Sequence, residues 1–351
     1  MNERLRGREM PQTEAFLKAH IENGGAGDVA IAIGDRDGEA YRFFCSSRGD
    51  VQNGQTLYDM MSVTKILSVA PLFHIAMEEG RLSPDDPLGM YFPEAPADKQ
   101  DIPLWMLLSH CSGIARHVYP EPCGPDRRNY AVSYLLEQPL LFAPGEKYDY
   151  SCGGFVLLGF LLERIYNTPL DHLFDVRIAR PLGMTNTMYN PREEDNIVRS
   201  TKKPYIGTIK CSDDIVRRLY GVAGNAGIFS CLDDMTVFGC SLLNRHKTLM
   251  TEATFAAAAR DLTPHFSLGR ALGYVYADAR YKQGGRLYAE GSLGHTGFSG
   301  TEVFADYRKD LYVVSLTNTA LYAVLRKENC STACAAFREG LHNAIADDLR
   351  L

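Results

Sequence analysis

Strand-forming segments collect at the two ends of this 351-residue chain while its middle reads as helix, and that split limits the folds open to it. Near the start, Gln12 to Asn23 reads as a helix, followed by strands at Val29 to Ile33 and Ala40 to Cys45 around a turn at Asp35-Arg36-Asp37-Gly38. Strand patterns return at Leu272 to Asp278, Leu287 to Glu290, Thr301 to Ala305 and Leu311 to Thr317, before a last helix from about Ser331 to Ala346. From Ser62 to about Ser241 the pattern is mostly helical, with long loops and a Pro- and Gly-rich stretch, Tyr119 to Pro125, expected to border a cleft. The layout predicts an α+β fold: an antiparallel sheet flanked by the terminal helices, with a mostly helical lobe inserted. The expected arrangement is a single domain over residues 1–351, with one lobe from about 1–61 and 245–351 and a helical lobe from about 62–244.

Chemistry enters at Ser62-Val63-Thr64-Lys65, where a hydroxyl and an amine three residues apart share one face of a helical turn. A lysine partly desolvated against a serine can lose its proton near neutral pH and take the one from the hydroxyl. Met60 and Met61 precede the motif, and Ile66, Val69, Ala70, Phe73, Ala76 and Met77 follow at helical spacing until Gly80, so Ser62 is expected to open a buried helix. The same spacing occurs at Ser200-Thr201-Lys202-Lys203, but Pro204 follows in a polar stretch, and that copy reads as solvated loop.

Three further segments gather around this motif. Leu107 to Ile114, which contains Ser109-His110-Cys111-Ser112-Gly113, is a helix end running into a small-residue loop. Pro144 to Gly159 presents Tyr150 and Ser151 from a turn ahead of an apolar helix. Gly294-His295-Thr296-Gly297-Phe298-Ser299-Gly300-Thr301 reads as a strand edge where glycines let a ligand approach the backbone.

In order and separation these segments resemble the serine β-lactamase and penicillin-binding protein superfamily, particularly class C β-lactamases, D,D-carboxypeptidases and β-lactamase-like esterases. Ser62 to Lys65 matches the family's nucleophile motif, Tyr150 to Cys152 its Tyr-Ser-Asn motif, and His295 to Gly297 its Lys-Thr-Gly or His-Thr-Gly strand. Pro181-Leu182-Gly183-Met184 with Thr187, and Gly221 to Ser230, are similar to its connecting segments, so the likeness runs over roughly residues 25 to 320. The resemblance implies a β-lactamase/transpeptidase-like fold, in which Ser62 attacks a carbonyl carbon, Lys65 is the general base and Tyr150 relays a proton to the leaving group. It also implies an oxyanion hole from the backbone N–H groups of Ser62 and Phe298, and a substrate cleft lined by Cys152, His295, Thr296 and Gly297. A cationic Lys65 beside Tyr150 would pull the phenol's pKa down.

Two positions depart from the family pattern. Cys152 stands where the family has Asn, and a thiol cannot supply the carboxamide that binds a substrate amide, which favours esters over amides and β-lactams. His295 replaces a fixed cation and would make recognition of a substrate carboxylate dependent on pH. Esterase, β-lactamase, D-peptidase and transesterase all remain open, and the alternative from another class is a non-catalytic scaffold that keeps the fold without turnover.

Composition bounds these readings. A hydrophobic fraction of 45% suits an enzyme-sized core, and a net charge of -6 disfavours nucleic acid, the pairs Lys202-Lys203 and Arg217-Arg218 being too short for a binding stripe. Gly221, Gly224 and Gly227 lack phosphate-loop spacing. No cofactor or metal motif is expected, including at Cys330 and Cys334, and the partner is a small-molecule ester, amide or β-lactam; oligomeric state does not follow. Met1 to Met10 is charged and without an apolar run, no later run is long enough to span a membrane, and nine cysteines without a Cys-x-x-Cys pair suit reduced thiols. Together these read as cytoplasmic.

Overall fold

The computed structural model describes residues 5–47, 53–117, 126–192 and 196–351. The Tyr119 to Pro125 stretch lies outside the described residues.

Six strands form one antiparallel sheet from the two ends of the chain. The first hairpin, β1 (Asp28–Asp35) and β2 (Gly38–Ser46), turns at Arg36-Asp37, where the Asp35 carboxylate accepts the Asp37 amide at 2.9 Å. A separate three-stranded sheet joins β3 (Tyr58–Asp59), β4 (Met188–Tyr189) and β5 (Ile228–Ser230), with β5 in the middle. The main sheet is completed by β6 (Val275–Ala277), β7 (Ser292–Thr296), β8 (Glu302–Asp306) and β9 (Leu311–Thr317), in the order β2-β1-β9-β8-β7-β6. The chain's last strand therefore pairs with its first, Val29 opposite Thr317 and Ile33 opposite Val313.

Alternation along the strands explains why both faces are covered. Val29, Ile31 and Ile33 of β1, with Leu311 and Val313 of β9, pack against the terminal helices Pro11–Glu22 and Cys330–Leu349 through Leu17, Ile21, Phe337, Leu341 and Ile345. The intervening Ala30, Ala32, Tyr312 and Val314 face the larger core, which includes Leu232, Met235 and Phe238 of helix Leu232–Leu243. Gly239 lets that helix sit against the Tyr312 ring, since a Cβ there would come within 2.7 Å of it. The chain is thus back on the sheet at Leu232, ahead of the lobe boundary expected near residue 245. The terminal helices are tied end to end: the Asp348 carboxylate accepts the Gln12 and Thr13 amides at 3.1 and 2.8 Å and the Thr13 hydroxyl at 2.7 Å.

Between the halves the chain is helical. Helix Cys152–Tyr166 is buried from Cys152 through Leu162, as expected of a helix apolar on every side, and it ends at Asn167 in the left-handed conformation. Gly224 packs directly on it, because a Cβ would sit 2.1 Å from the Phe155 carbonyl oxygen.

Several sequence expectations need correction. Leu287 to Glu290 is not a strand: the Leu287 amide bonds to Gly284 O and the Ala289 amide to the Asp306 carboxylate at 2.7 Å, while pairing begins at Ser292. Leu272 to Asp278 pairs only from Val275, since Gly273 takes φ +91 where the chain abuts Ala70. Ser62 does not open one continuous helix: Met61–Val63 is a 3-10 turn, Lys65–Val69 a π turn, and α-helix runs Ala70–Glu78. Helix Thr319–Arg326 was not foreseen. Ser200 to Lys203 is loop, but Thr201 is buried and Ser200 is half-buried and bonds to Asp59 and Ser212, so it is not simply solvated.

Candidate active site

The turn that carries Ser62 is shaped from both sides. The Met60 amide bonds to Ile228 O at 3.0 Å, which pins the chain to β5, and the Met61 amide bonds to the Asp59 carboxylate at 3.0 Å. Met61 has φ +48, a conformation that costs a non-glycine residue about 1 kcal/mol and that turns the chain sharply just before Ser62. Buried Asp59 also accepts the Ser212 amide at 2.8 Å and hydroxyl at 2.6 Å, tying the turn to the loop that follows Ser200.

Ser62 and Lys65 meet as their spacing predicts. Lys65 is fully buried, and its Nζ donates to Ser62 Oγ at 3.0 Å and to the Asn225 carbonyl at 2.8 Å, with Cys152 Sγ at 3.7 Å. Asn225, legible in the sequence only as part of a connecting segment, thus helps aim the ammonium. Burial, the largest effect, drives Lys65 toward the neutral amine, and the opposing pull comes from Cys152 and Tyr150 only where these are ionised; the net direction is above the ordinary lysine value.

Tyr150 lies over the same ammonium, its ring centroid 5.0 Å from Lys65 Nζ. Its hydroxyl is near enough to Lys65 and Ser62 for each to favour the phenolate, yet it makes no hydrogen bond of normal geometry. Burial dominates and raises the phenol's pKa, where the sequence had suggested a lowered one. The ring is held from behind by His110, at 4.3 Å between centroids, while His110 Nδ1 accepts the Ser151 amide at 3.1 Å. His110 was visible only as a member of a loop. Buried and beside Arg270 and Lys65, it stays neutral.

Cys152 begins the helix capped by Ser151, whose Oγ accepts the Gly154 amide at 3.0 Å. Its thiol, pushed up by burial, faces Lys65 and is not among the residues that line the cavity itself. His295, Thr296 and Gly297 do line it. β6 pairs with β7 only from Ser292 to Gly294, which leaves the edge open at His295 and Thr296 as the glycine pattern suggested. Gly297 lets this strand end press on the Ser62 turn, since a Cβ would meet Met60 O at 2.7 Å and Thr301 Oγ1 at 2.2 Å. Phe298 follows, and its N–H has no protein acceptor among the described residues.

Sequence reasoning missed the two arginines of the cleft. Arg270 is buried, and it reaches His295 Nε2 at 3.3 Å through Nη1 and the Tyr148 hydroxyl at 2.7 Å through Nη2. Burial first, then Arg270 and Lys65, hold His295 well below the ordinary histidine range, so it is neutral, and the pH-dependent cation expected there is replaced by a permanent one. Arg338, from the C-terminal helix, bonds to Gly297 O, Thr301 O and Gln283 and faces Glu302. Neither arginine belongs to a local motif; β-pairing and helix packing bring them in. With Ser62, Tyr150, His295 and Thr296 they line a cavity of about 400 Å³.

The whole arrangement places a hydroxyl against a buried amine and a phenol at the mouth of a cationic cleft. The β-lactamase family model matches residues 13–329, and the chain belongs to that family. It is 27% identical over 315 residues to a putative D-alanyl-D-alanine carboxypeptidase of Escherichia coli (strain K12), covering 75% of this chain and 69% of that protein. It is 28% identical over 308 residues to an N-acetylmuramyl-L-alanine amidase of Bacillus subtilis (strain 168), covering 75% and 68%. The fold superposes on EstCE1, described as a hydrolase with promiscuous acyltransferase activity, with TM-score 0.77, 18% identity and coverage of 95% and 97%. Among the described residues no helix is long and apolar enough to cross a membrane, and the eight cysteines that are described carry free thiols.

Proposed function

We propose that this protein cleaves ester or amide bonds through an acyl-enzyme on Ser62, with the sheet and the helical lobe acting as one catalytic domain. The observation that carries the proposal is the 3.0 Å contact of buried Lys65 with Ser62 Oγ, directed by the Asn225 carbonyl and roofed by Tyr150. In the form that reacts, Lys65 is the neutral amine and takes the hydroxyl proton as Oγ bonds to the carbonyl carbon; Tyr150 hands its phenolic proton to the leaving group as that group's bond to the carbon breaks, and the Lys65 ammonium returns a proton to the phenolate. Water then releases the acyl group by the reverse relay. The N–H groups of Ser62 and Phe298 would hold the oxyanion, each such donor being worth about 3 kcal/mol.

The leaving group lies on the Tyr150 side, against Arg270. The hydrogen-bond partners of that buried guanidinium are a phenol and a neutral imidazole rather than a carboxylate, so its charge favours a substrate bearing an anion, such as a carboxylate. Because Cys152 stands at the position of the family's carboxamide, esters are favoured over amides and β-lactams. Hydrolysis of a short p-nitrophenyl ester and a chromogenic cephalosporin, side by side in wild type and Ser62→Ala, tests this reading. Ser62-dependent turnover supports it, the two rates separate esterase from β-lactamase, and turnover that survives Ser62→Ala overturns it.

A further inference from the structure

Two side chains of the C-terminal helix grip the backbone loop that follows β7. Arg338 Nη2 donates to Gly297 O and, at 3.3 Å, to Thr301 O, while Cys334 Sγ donates to Phe298 O at 3.4 Å. Four residues apart on one helical face, they hold the carbonyls on both sides of the Phe298 Cα. The loop also closes on itself, with the Gly297 amide on Thr301 O at 2.7 Å and the Gly300 amide on Gly297 O at 3.1 Å. Ser299 Oγ, donating to Asp59 O at 3.2 Å, fastens it to the segment that leads into the Ser62 turn.

In a planar trans peptide the carbonyl and the N–H that follows it point in opposite directions, so neither can turn without the other. With Gly297 O on the guanidinium, the Phe298 N–H is directed away from Arg338, and it cannot swing without breaking that bond. The guanidinium is itself held. Arg338 is buried, its Nη1 donates to Gln283 Oε1 at 2.8 Å, and its Nε faces Oε2 of fully buried Glu302 at 3.7 Å. The other oxygen of Glu302 lies 2.6 Å from Nε2 of His342, one turn further along the helix. Glu302 belongs to β8, opposite Thr296, so the support comes from behind the strand end that carries the cleft. With Nη2 committed to two backbone carbonyls and Nη1 to Gln283, little of this guanidinium is left for a substrate. We infer that Arg338, backed by Glu302, is a positioning residue for the oxyanion site, acting on the reaction through the Gly297–Phe298 peptide. This inference rests on the acyl-enzyme reading above.

The test pairs turnover of p-nitrophenyl acetate, a neutral ester, with inhibition by phenylboronic acid, which binds as a tetrahedral adduct on a serine oxygen and so probes the oxyanion site. Arg338→Met should lower kcat by about 10- to 100-fold, with KM changed by less than about twofold, because a misdirected N–H forfeits most of one oxyanion donor. Phenylboronic acid should weaken by a similar factor. Arg338→Lys, whose ammonium can still donate to Gly297 O, should recover about half of the loss on a logarithmic scale. Glu302→Gln lies outside the cavity lining and should lower kcat by about threefold at unchanged KM, the scale of one net hydrogen bond, which decides the matter if Arg338→Met does not fold. A rise in KM alone, or a loss confined to esters that bear a carboxylate, would make Arg338 a substrate contact and overturn the inference. So would variants with a lower thermal midpoint but unchanged kcat and phenylboronic acid affinity, which would reduce these contacts to packing while the acyl-enzyme stands. Ester turnover independent of Ser62 overturns both.

Discussion

Arg270 Nη1 lies 3.3 Å from Nε2 of His295, and the pair settles which side chain carries the positive charge of the cleft. Burial first, and then the neighbouring guanidinium, keep the histidine neutral, so the positive charge here is that of the arginine side chain. Arg270→Gln is predicted to lower kcat/KM for a carboxylate-bearing ester by about 10- to 100-fold relative to its neutral analogue, the scale of one hydrogen bond to a charged group. His295 should at the same time titrate at higher pH, which NMR of its imidazole protons would follow. Equal loss on both esters would mean that Arg270 acts only through the fold.

Both members of the proton relay are shifted upward, Lys65 from 10.5 and Tyr150 from 10.0. The form with one proton removed is therefore a minority at neutral pH and grows as pH rises. The acylation rate is expected to climb steadily through the neutral and alkaline range, with no plateau above pH 7 and no limb from His295 near its ordinary pKa. A pH–rate profile for pre-steady-state acylation measures this, and a flat profile above neutrality contradicts it.

Cys152 sits at 3.7 Å from Lys65 Nζ, where a carboxamide oxygen would be the better acceptor and its amide the better donor toward a substrate carbonyl. Cys152→Asn should raise the ratio of β-lactam to ester turnover by about fivefold, the worth of one net hydrogen bond near 1 kcal/mol. An unchanged ratio would make the thiol a packing residue alone.

The link between the chain ends makes a prediction away from the site. Asp348→Ala removes the acceptor of the Gln12 and Thr13 amides and of the buried Thr13 hydroxyl, so unfolding free energy should fall by about 1–3 kcal/mol while kcat stays the same. Denaturant unfolding followed beside ester turnover checks both halves.

Much of the site was legible because its motifs are local. Ser62 and Lys65 lie within one turn, Tyr150 immediately precedes a helix cap, and His295 to Gly297 form one strand end, so their order in the chain survives in the sequence. The charge states did not survive. They depend on Arg270, which reaches His295 across the cleft from a segment that pairs only briefly, and on burial that no local pattern reports. The Leu287 to Glu290 error has a similar origin: Leu287 and Tyr288 are apolar because they pack beside the C-terminal helix, and their neighbour's amide is taken by the Asp306 side chain instead of a strand.

The most direct measurement is intact-protein mass spectrometry with peptide mapping, after rapid quenching of the enzyme with an activated ester or a cephalosporin. The account predicts a mass increase equal to the acyl group, carried by the peptide that contains Ser62 and absent from Ser62→Ala. An adduct on a different residue, or turnover undiminished in Ser62→Ala, would contradict it.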